Sequence, residues 1–203
     1  YPDHIIDCKA ALRWIKSNVG DYGGNPDFIA VTGGSAGGHL TALLALTPND
    51  PAFQPGFETS DTEVQAAVPF YGVFDWTDRD RLQHNAGLQS ILEDRIVKQT
   101  LADAPSLFSN ASPLLRITAS APPFMVVHGD KDSLVPIGLG RVFAADLAAT
   151  SENPVVYLEI PGAQHAFDIF ASPRSEHTKL GVARFLTHAY TQHLALSDAK
   201  QTS

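Results

Sequence analysis

A serine, two aspartates and a histidine each lie just past a short apolar run, and together they could carry out acyl transfer through a nucleophilic hydroxyl. The serine is Ser35, within Gly33-Gly34-Ser35-Ala36-Gly37-Gly38. It follows the apolar run Phe28-Ile29-Ala30-Val31-Thr32 and precedes the helix-like His39-Leu40-Thr41-Ala42-Leu43-Leu44. A Gly-x-Ser-x-Gly turn between strand and helix holds its serine in strained backbone geometry, with the hydroxyl clear of the sheet. Its glycines let the two chain segments approach without Cβ clashes. A phosphate loop would need Lys-Ser/Thr after the glycines, and that pair is absent here.

A nucleophilic serine needs a base, and the base needs a carboxylate to orient it. The apolar stretch Pro123-Phe124-Met125-Val126-Val127-His128 reads as a strand that runs into Gly129-Asp130-Lys131-Asp132. Asp130 and Asp132 compete for the acid role, since an aspartate in such a turn can equally do no more than accept local backbone N–H bonds. A further strand, Val155-Val156-Tyr157-Leu158-Glu159-Ile160, ends in Pro161-Gly162-Ala163-Gln164-His165. If these strands are parallel, Ser35, the aspartates and His165 share one rim of the sheet. His128 reads as a structural histidine at a strand end. The other histidines (His4, His39, His84, His177, His188 and His193) lack metal-ligand spacing, so neither metal nor cofactor is expected.

Four stretches carry a family resemblance: Tyr-Gly-Gly-Asn-Pro-Asp-Phe-Ile-Ala-Val-Thr-Gly-Gly-Ser-Ala-Gly-Gly-His-Leu at 22–40, Ser112-Pro113, His-Gly-Asp-Lys-Asp-Ser-Leu-Val-Pro at 128–136, and Gly-Ala-Gln-His-Ala-Phe-Asp at 162–168. On these the chain resembles the hormone-sensitive-lipase-like branch of bacterial α/β-hydrolase carboxylesterases and lipases. The resemblance implies Ser35 as nucleophile, Asp132 as acid (the fifth position of His-Gly-x-x-Asp-x-x-Val-Pro) and His165 as base. It also implies that the backbone N–H of Ala36 serves the oxyanion hole. In that family a His-Gly-Gly loop upstream of the elbow supplies the rest of the hole, and these residues contain no such sequence. Four strands are read here, at 28–32, 64–71, 123–128 and 155–160, where the family fold has eight. The expectation is therefore the C-terminal portion of one α/β-hydrolase domain, residues 1–203, with a mainly parallel sheet and helices on both faces. The upstream strands and oxyanion loop would be missing.

The elements that position these residues begin with a helix. Ile5, Cys8, Leu12, Ile15 and Val19 recur every three or four residues, the stripe of a helix buried on one side. Pro2-Asp3 suits its start, and Gly20 or Gly23-Gly24 its end. Cys8 falls on that stripe and reads as a small buried hydrophobe. Between the second and third strands, an insert of about 74–122 places Leu88, Leu92 and Ile96 four apart on one helical face. An excursion of that length from the site's rim is expected to contribute a partial cap that excludes water and shapes a pocket. Tyr71, Leu134 and Phe167 are pocket-lining candidates because each neighbours a rim residue.

Hydrophobic residues at 44% and a length of 203 suit one packed domain. A net charge of −8 without a basic run argues against nucleic acid as a partner. The sequence leaves the compartment open. The expected substrate is a small-molecule or lipid ester, with a serine peptidase or amidase of the same fold, or a catalytically incomplete fragment with a structural or ligand-binding role, as alternatives. The apolar strand at 28–32 is expected to form an open sheet edge, available for self-association or for pairing with a missing N-terminal segment.

Overall fold

The computed structural model describes residues 1–82 and 86–201, so His84 lies outside it. Among the described residues, four strands form one parallel sheet in the order β1 (Ala30–Gly34), β2 (Ala66–Phe70), β3 (Phe124–Gly129) and β4 (Val155–Ile160). Their pleat sorts side chains alternately to two faces. From β3, Phe124 and Val126 join the core on one side, while Met125 and Val127 join that on the other. All six residues of β3 are buried, as a central parallel strand covered on both faces requires.

One face is covered by α1 (Asp3–Asn18), α2 (Ala36–Leu46) and α5 (Ile137–Thr150); the opposite face is covered by α6 (Pro173–Gln201) through Val182, Phe185 and Leu186. Between β2 and β3 lie α3 (Ala86–Ile91), a π-helical turn over Leu92–Val97, and α4 (Pro105–Ala111). These build a separate apolar cluster with Val73, Trp76, Val135 and Leu139 above the rim of the sheet. Among the described residues, no helix is long and apolar enough to cross a membrane.

Several boundaries differ from the sequence reading, each for a local reason. β1 starts two residues later than expected because Asn25–Phe28 forms a turn, with the Asn25 side chain accepting from Asp27 N–H at 3.0 Å. It then runs on through Gly33 and Gly34, which pair opposite Pro69 and Phe70. β2 stops at Phe70 because Tyr71 takes a positive φ of 36°. Along α1, Ile5 and Leu12 are buried as the stripe requires, but Ile15 is exposed and Cys8 only half-buried. Lys9 is buried instead, its ammonium donating to the Thr47 carbonyl and, at 3.0 Å, to Thr62 Oγ1. Such partners are what make a buried ammonium tolerable.

Candidate active site

Ser35 sits between the end of β1 and the first residue of α2, with φ 58° and ψ −118°. A residue with a side chain reaches that conformation only where its surroundings hold it. Here the Ser35 N–H donates to the Phe70 carbonyl at 3.0 Å, and the Ser35 carbonyl accepts from His39 N–H at 3.0 Å. The glycines make the approach fit. A Cβ on Gly33 would lie 2.7 Å from the Gly37 backbone, and one on Gly38 would run into the Phe70 carbonyl. At Gly37 a Cβ would meet open space, so the close approach after the serine depends on Gly38 rather than on the second glycine of the motif.

Loops from the far strands bring the other two residues to Ser35. The His165 Nε2 lies 2.9 Å from Ser35 Oγ, and its Nδ1 lies 2.8 Å from Asp132 Oδ2. With Nδ1–H donating to the carboxylate, Nε2 is left to accept from the serine hydroxyl. The Asp132 side chain is fully buried, whereas that of His165 keeps 15% exposure. Burial pushes the Asp132 carboxyl up, but hydrogen bonds from His128, His165, Val135 N–H and Leu134 N–H outweigh it and hold the group well below the usual carboxylate range. Asp132 Oδ1 accepts those two backbone bonds at 2.8 and 2.9 Å. It is therefore anchored as a charged acceptor facing the imidazole.

Asp130 has a different partner. Its Oδ1 accepts from Gly162 N–H at 2.6 Å, which fixes the start of the loop that carries His165. Lys131 N–H donates to the Ala163 carbonyl at 3.0 Å alongside it. His128 is fully buried behind the acid, its Nε2 3.0 Å from the Val135 carbonyl and 3.3 Å from Asp132 Oδ2. Its Nδ1 is packed so closely on Gly140 that a Cβ there would come within 2.6 Å.

Beside Ser35 opens a cavity of about 440 Å³. Leu88, Leu92 and Ile96 from the insert line it, so the apolar face read from their spacing is turned toward the serine. Opposite them stand Leu40, Val73 and Trp76, with His4 and His39 stacked on the indole. His39 is buried, and desolvation lowers its pKa to about 4, a little opposed by the hydrogen bond to the Ala111 carbonyl. Ala36 also lines the cavity, and as the first residue of α2 its N–H has no acceptor within the helix.

Of the three candidate pocket residues, only Leu134 lines this cavity. Tyr71 is buried beneath His165, ring centroids 4.6 Å apart, and Phe167 packs into the core under α6. The sequence reading did not anticipate Trp76, His4 and His39 as cavity walls, nor the Tyr71 hydroxyl donating to Asp168. The only sequence signal for the walls was the position of His39 one turn into the elbow helix. Among the described residues, no group of three or more His, Cys, Asp or Glu side chains could hold a metal ion.

A family profile described as BD-FAE matches residues 1–147. The chain is 55% identical over 194 residues to the probable carboxylic ester hydrolase LipM of Mycobacterium tuberculosis, covering 95% of this chain and 45% of that protein. It is 46% identical to esterase LipQ of the same organism, covering 96% and 46%. The chain thus spans about half the length of the curated relatives it matches. Among solved structures, a thermophilic esterase of Thermogutta terrifontis, Est2, superposes with a TM-score of 0.68 at 27% identity, over 98% of this chain and 62% of that one.

Proposed function

The chain belongs to the BD-FAE family, on an α/β-hydrolase fold, and from that premise we propose that it is the part of a serine carboxylic-ester hydrolase that carries the nucleophile, acid and base. The observation that carries this reading is the continuous hydrogen-bonded line from Ser35 Oγ through His165 to Asp132. His165 Nε2 takes the hydroxyl proton as Ser35 Oγ attacks the ester carbonyl carbon. Asp132 stabilises the imidazolium that forms and fixes its tautomer. The tetrahedral intermediate collapses when His165 returns the proton to the leaving alcohol, and a covalent acyl ester of Ser35 remains. Water then repeats the sequence, with His165 again as base, and releases the acid.

Charge developing on the carbonyl oxygen is met by the Ala36 N–H at the positive end of α2. The cavity walls suit an ester with an apolar arm, and the segment at 74–122 acts as a partial cap over that arm. In the longer protein, we read residues 1–203 as the C-terminal portion of the hydrolase domain. An upstream segment supplies the second oxyanion donor and covers the outer edge of β1.

The test is Ser35→Ala in the full-length protein. Serine and alanine carry the same Cβ, so the turn's strain is unchanged while the nucleophile is lost. Ester turnover should fall by about 10⁶-fold, and a fluorophosphonate probe should label Ser35 in the wild type and nothing in the variant. Labelling that survives the substitution would overturn the assignment. Faster cleavage of p-nitroanilides than of the matching p-nitrophenyl esters would point to an amidase instead.

A further inference from the structure

The loop that carries His165 starts at β4, whereas Ser35 stands at the end of β1. Three interstrand spacings separate them, about 14 Å at roughly 4.8 Å each. The base must therefore be carried back across the rim over β3 and β2, and each strand it passes ties it down. Above β3 the ties are Asp130 to Gly162 N–H, Lys131 N–H to Ala163, and Asp132 to His165 itself. Beyond His165 the chain bends through Ala166, a residue with a Cβ held at φ 59°. A left-handed alanine is unfavourable and relaxes unless something holds it.

Ile169 N–H donates to the Ala166 carbonyl at 3.2 Å and closes this bend, and Asp168 within it finds its partner just past β2. Tyr71 donates its hydroxyl to Asp168 Oδ1 across 97 positions of sequence. Tyr71 is itself fixed. It is 3% exposed, its N–H donates to the Val127 carbonyl at 2.8 Å, and its own φ is 36°. Its ring lies against the imidazole, and a Cβ on Gly34 would come within 2.6 Å of its hydroxyl. One side chain thus touches the turn before the nucleophile, the base, and the anchor that follows the base. Burial, with Asp168 as the next cause, pushes the Tyr71 hydroxyl well above the usual phenol range, which keeps it a donor.

We propose that Tyr71 and Asp168 form a clamp of positioning residues that holds the His165 imidazole in register between Ser35 and Asp132. The proposal rests on the acyl-enzyme reading and assigns these two side chains no contact with substrate. A base displaced by a fraction of an ångström still binds ester normally but accepts the serine proton poorly, so the loss falls on kcat rather than KM.

The experiment is a double-mutant cycle in the full-length protein with Tyr71→Phe, Asp168→Ala and the double variant, assayed on a p-nitrophenyl ester. Each single variant should lower kcat by ~10- to 100-fold, with KM and Tm close to wild type. The double variant should be no slower than the worse single one. Asp168→Asn, which keeps an acceptor oxygen, should recover part of the rate. Hydrogen exchange at 163–168 should quicken in the same variants, a readout independent of turnover. Additive losses, unchanged kcat, or unchanged exchange would overturn the clamp. Absence of Ser35-dependent turnover in the wild type would instead strike the acyl-enzyme reading, and the exchange measurement would still decide the clamp.

Discussion

Lowering the pH should destabilise this fold through one histidine that takes no part in proton transfer. His39 is 3% exposed, its Nε2–H donates to the Ala111 carbonyl at 2.7 Å, and its ring stacks on Trp76 at 4.5 Å between centroids. Desolvation is the main cause that lowers its pKa from 6.5 to about 4; the Ala111 hydrogen bond opposes it, and the neighbouring His4 adds a smaller lowering. The unfolded chain takes up a proton near its ordinary value, while the folded chain refuses it until about 4. Between those values the unfolded state binds more protons, so stability is full above about 6.5 and drains away as pH falls toward about 4.

At about 1.36 kcal/mol per pH unit between the ordinary value of 6.5 and about 4, this amounts to about 3 kcal/mol, a large share of the ~5–15 kcal/mol that holds a typical domain. The group is fully enclosed, so solvent screening removes little of that figure. Urea unfolding followed by circular dichroism, repeated from about pH 7 to about pH 4, measures it in wild type and in His39→Gln. Glutamine keeps an N–H donor for Ala111 and cannot titrate. The wild type should lose about 3 kcal/mol more than the variant over that range. Two curves that run parallel would refute the reasoning, because the acid loss would then come from other groups.

Three further outcomes follow from the structure. Asp132→Asn should cut ester turnover by ~10⁴-fold, as tautomer loss does in other triads. Asp130→Asn should cost far less, since it only weakens the bond to Gly162 N–H, and a larger effect at Asp130 would exchange the two roles. Residues 1–203 prepared alone should self-associate, because among the described residues β1 pairs only with β2, and Cys8, Leu12, Ile29 and Val31 line a groove along its outer side. Light scattering should show mass rising with concentration. A dilute monomer with slow hydrogen exchange at Ile29–Val31 would contradict it.

What could be read from the sequence was whatever a short stretch of chain encodes by itself. The strand–turn–helix at Ser35 was legible because strand, glycines and helix are contiguous, and the rim position of His165 because it follows a strand directly. The cavity-facing stripe of Leu88, Leu92 and Ile96 was legible because helical periodicity is local. The Gly-x-Ser-x-Gly pattern, however, did not reveal which glycine after the serine is sterically needed, since that depends on where the Phe70 carbonyl lies. Lys9 sits where the periodicity called for an apolar residue, and only the fold supplies Thr47 and Thr62 as its partners.

The least legible part is the one that crosses between strands, and the physical reason lies in the sheet. Parallel neighbours order the strand ends along one rim, so residues far apart in sequence become adjacent only once β1 to β4 are laid side by side. Three residues with side chains take left-handed backbone along that rim: Ser35, Tyr71 and Ala166. Each is unfavourable alone, and each is held by hydrogen bonds: Ser35 N–H to the Phe70 carbonyl of β2, Tyr71 N–H to the Val127 carbonyl of β3, and the turn at Ala166 by Ile169 N–H on its carbonyl and by Asp168 on the Tyr71 hydroxyl. Strain placed this way persists only when the cross-strand bonds over-determine it. The sheet thus does more than carry the serine and the histidine. By fixing the rim it holds both the turn at Ser35 and the crossing loop that carries His165, so that Oγ and Nε2 stand 2.9 Å apart. For the proposed acyl transfer, preorganisation of that kind would lower what must be rearranged in the transition state.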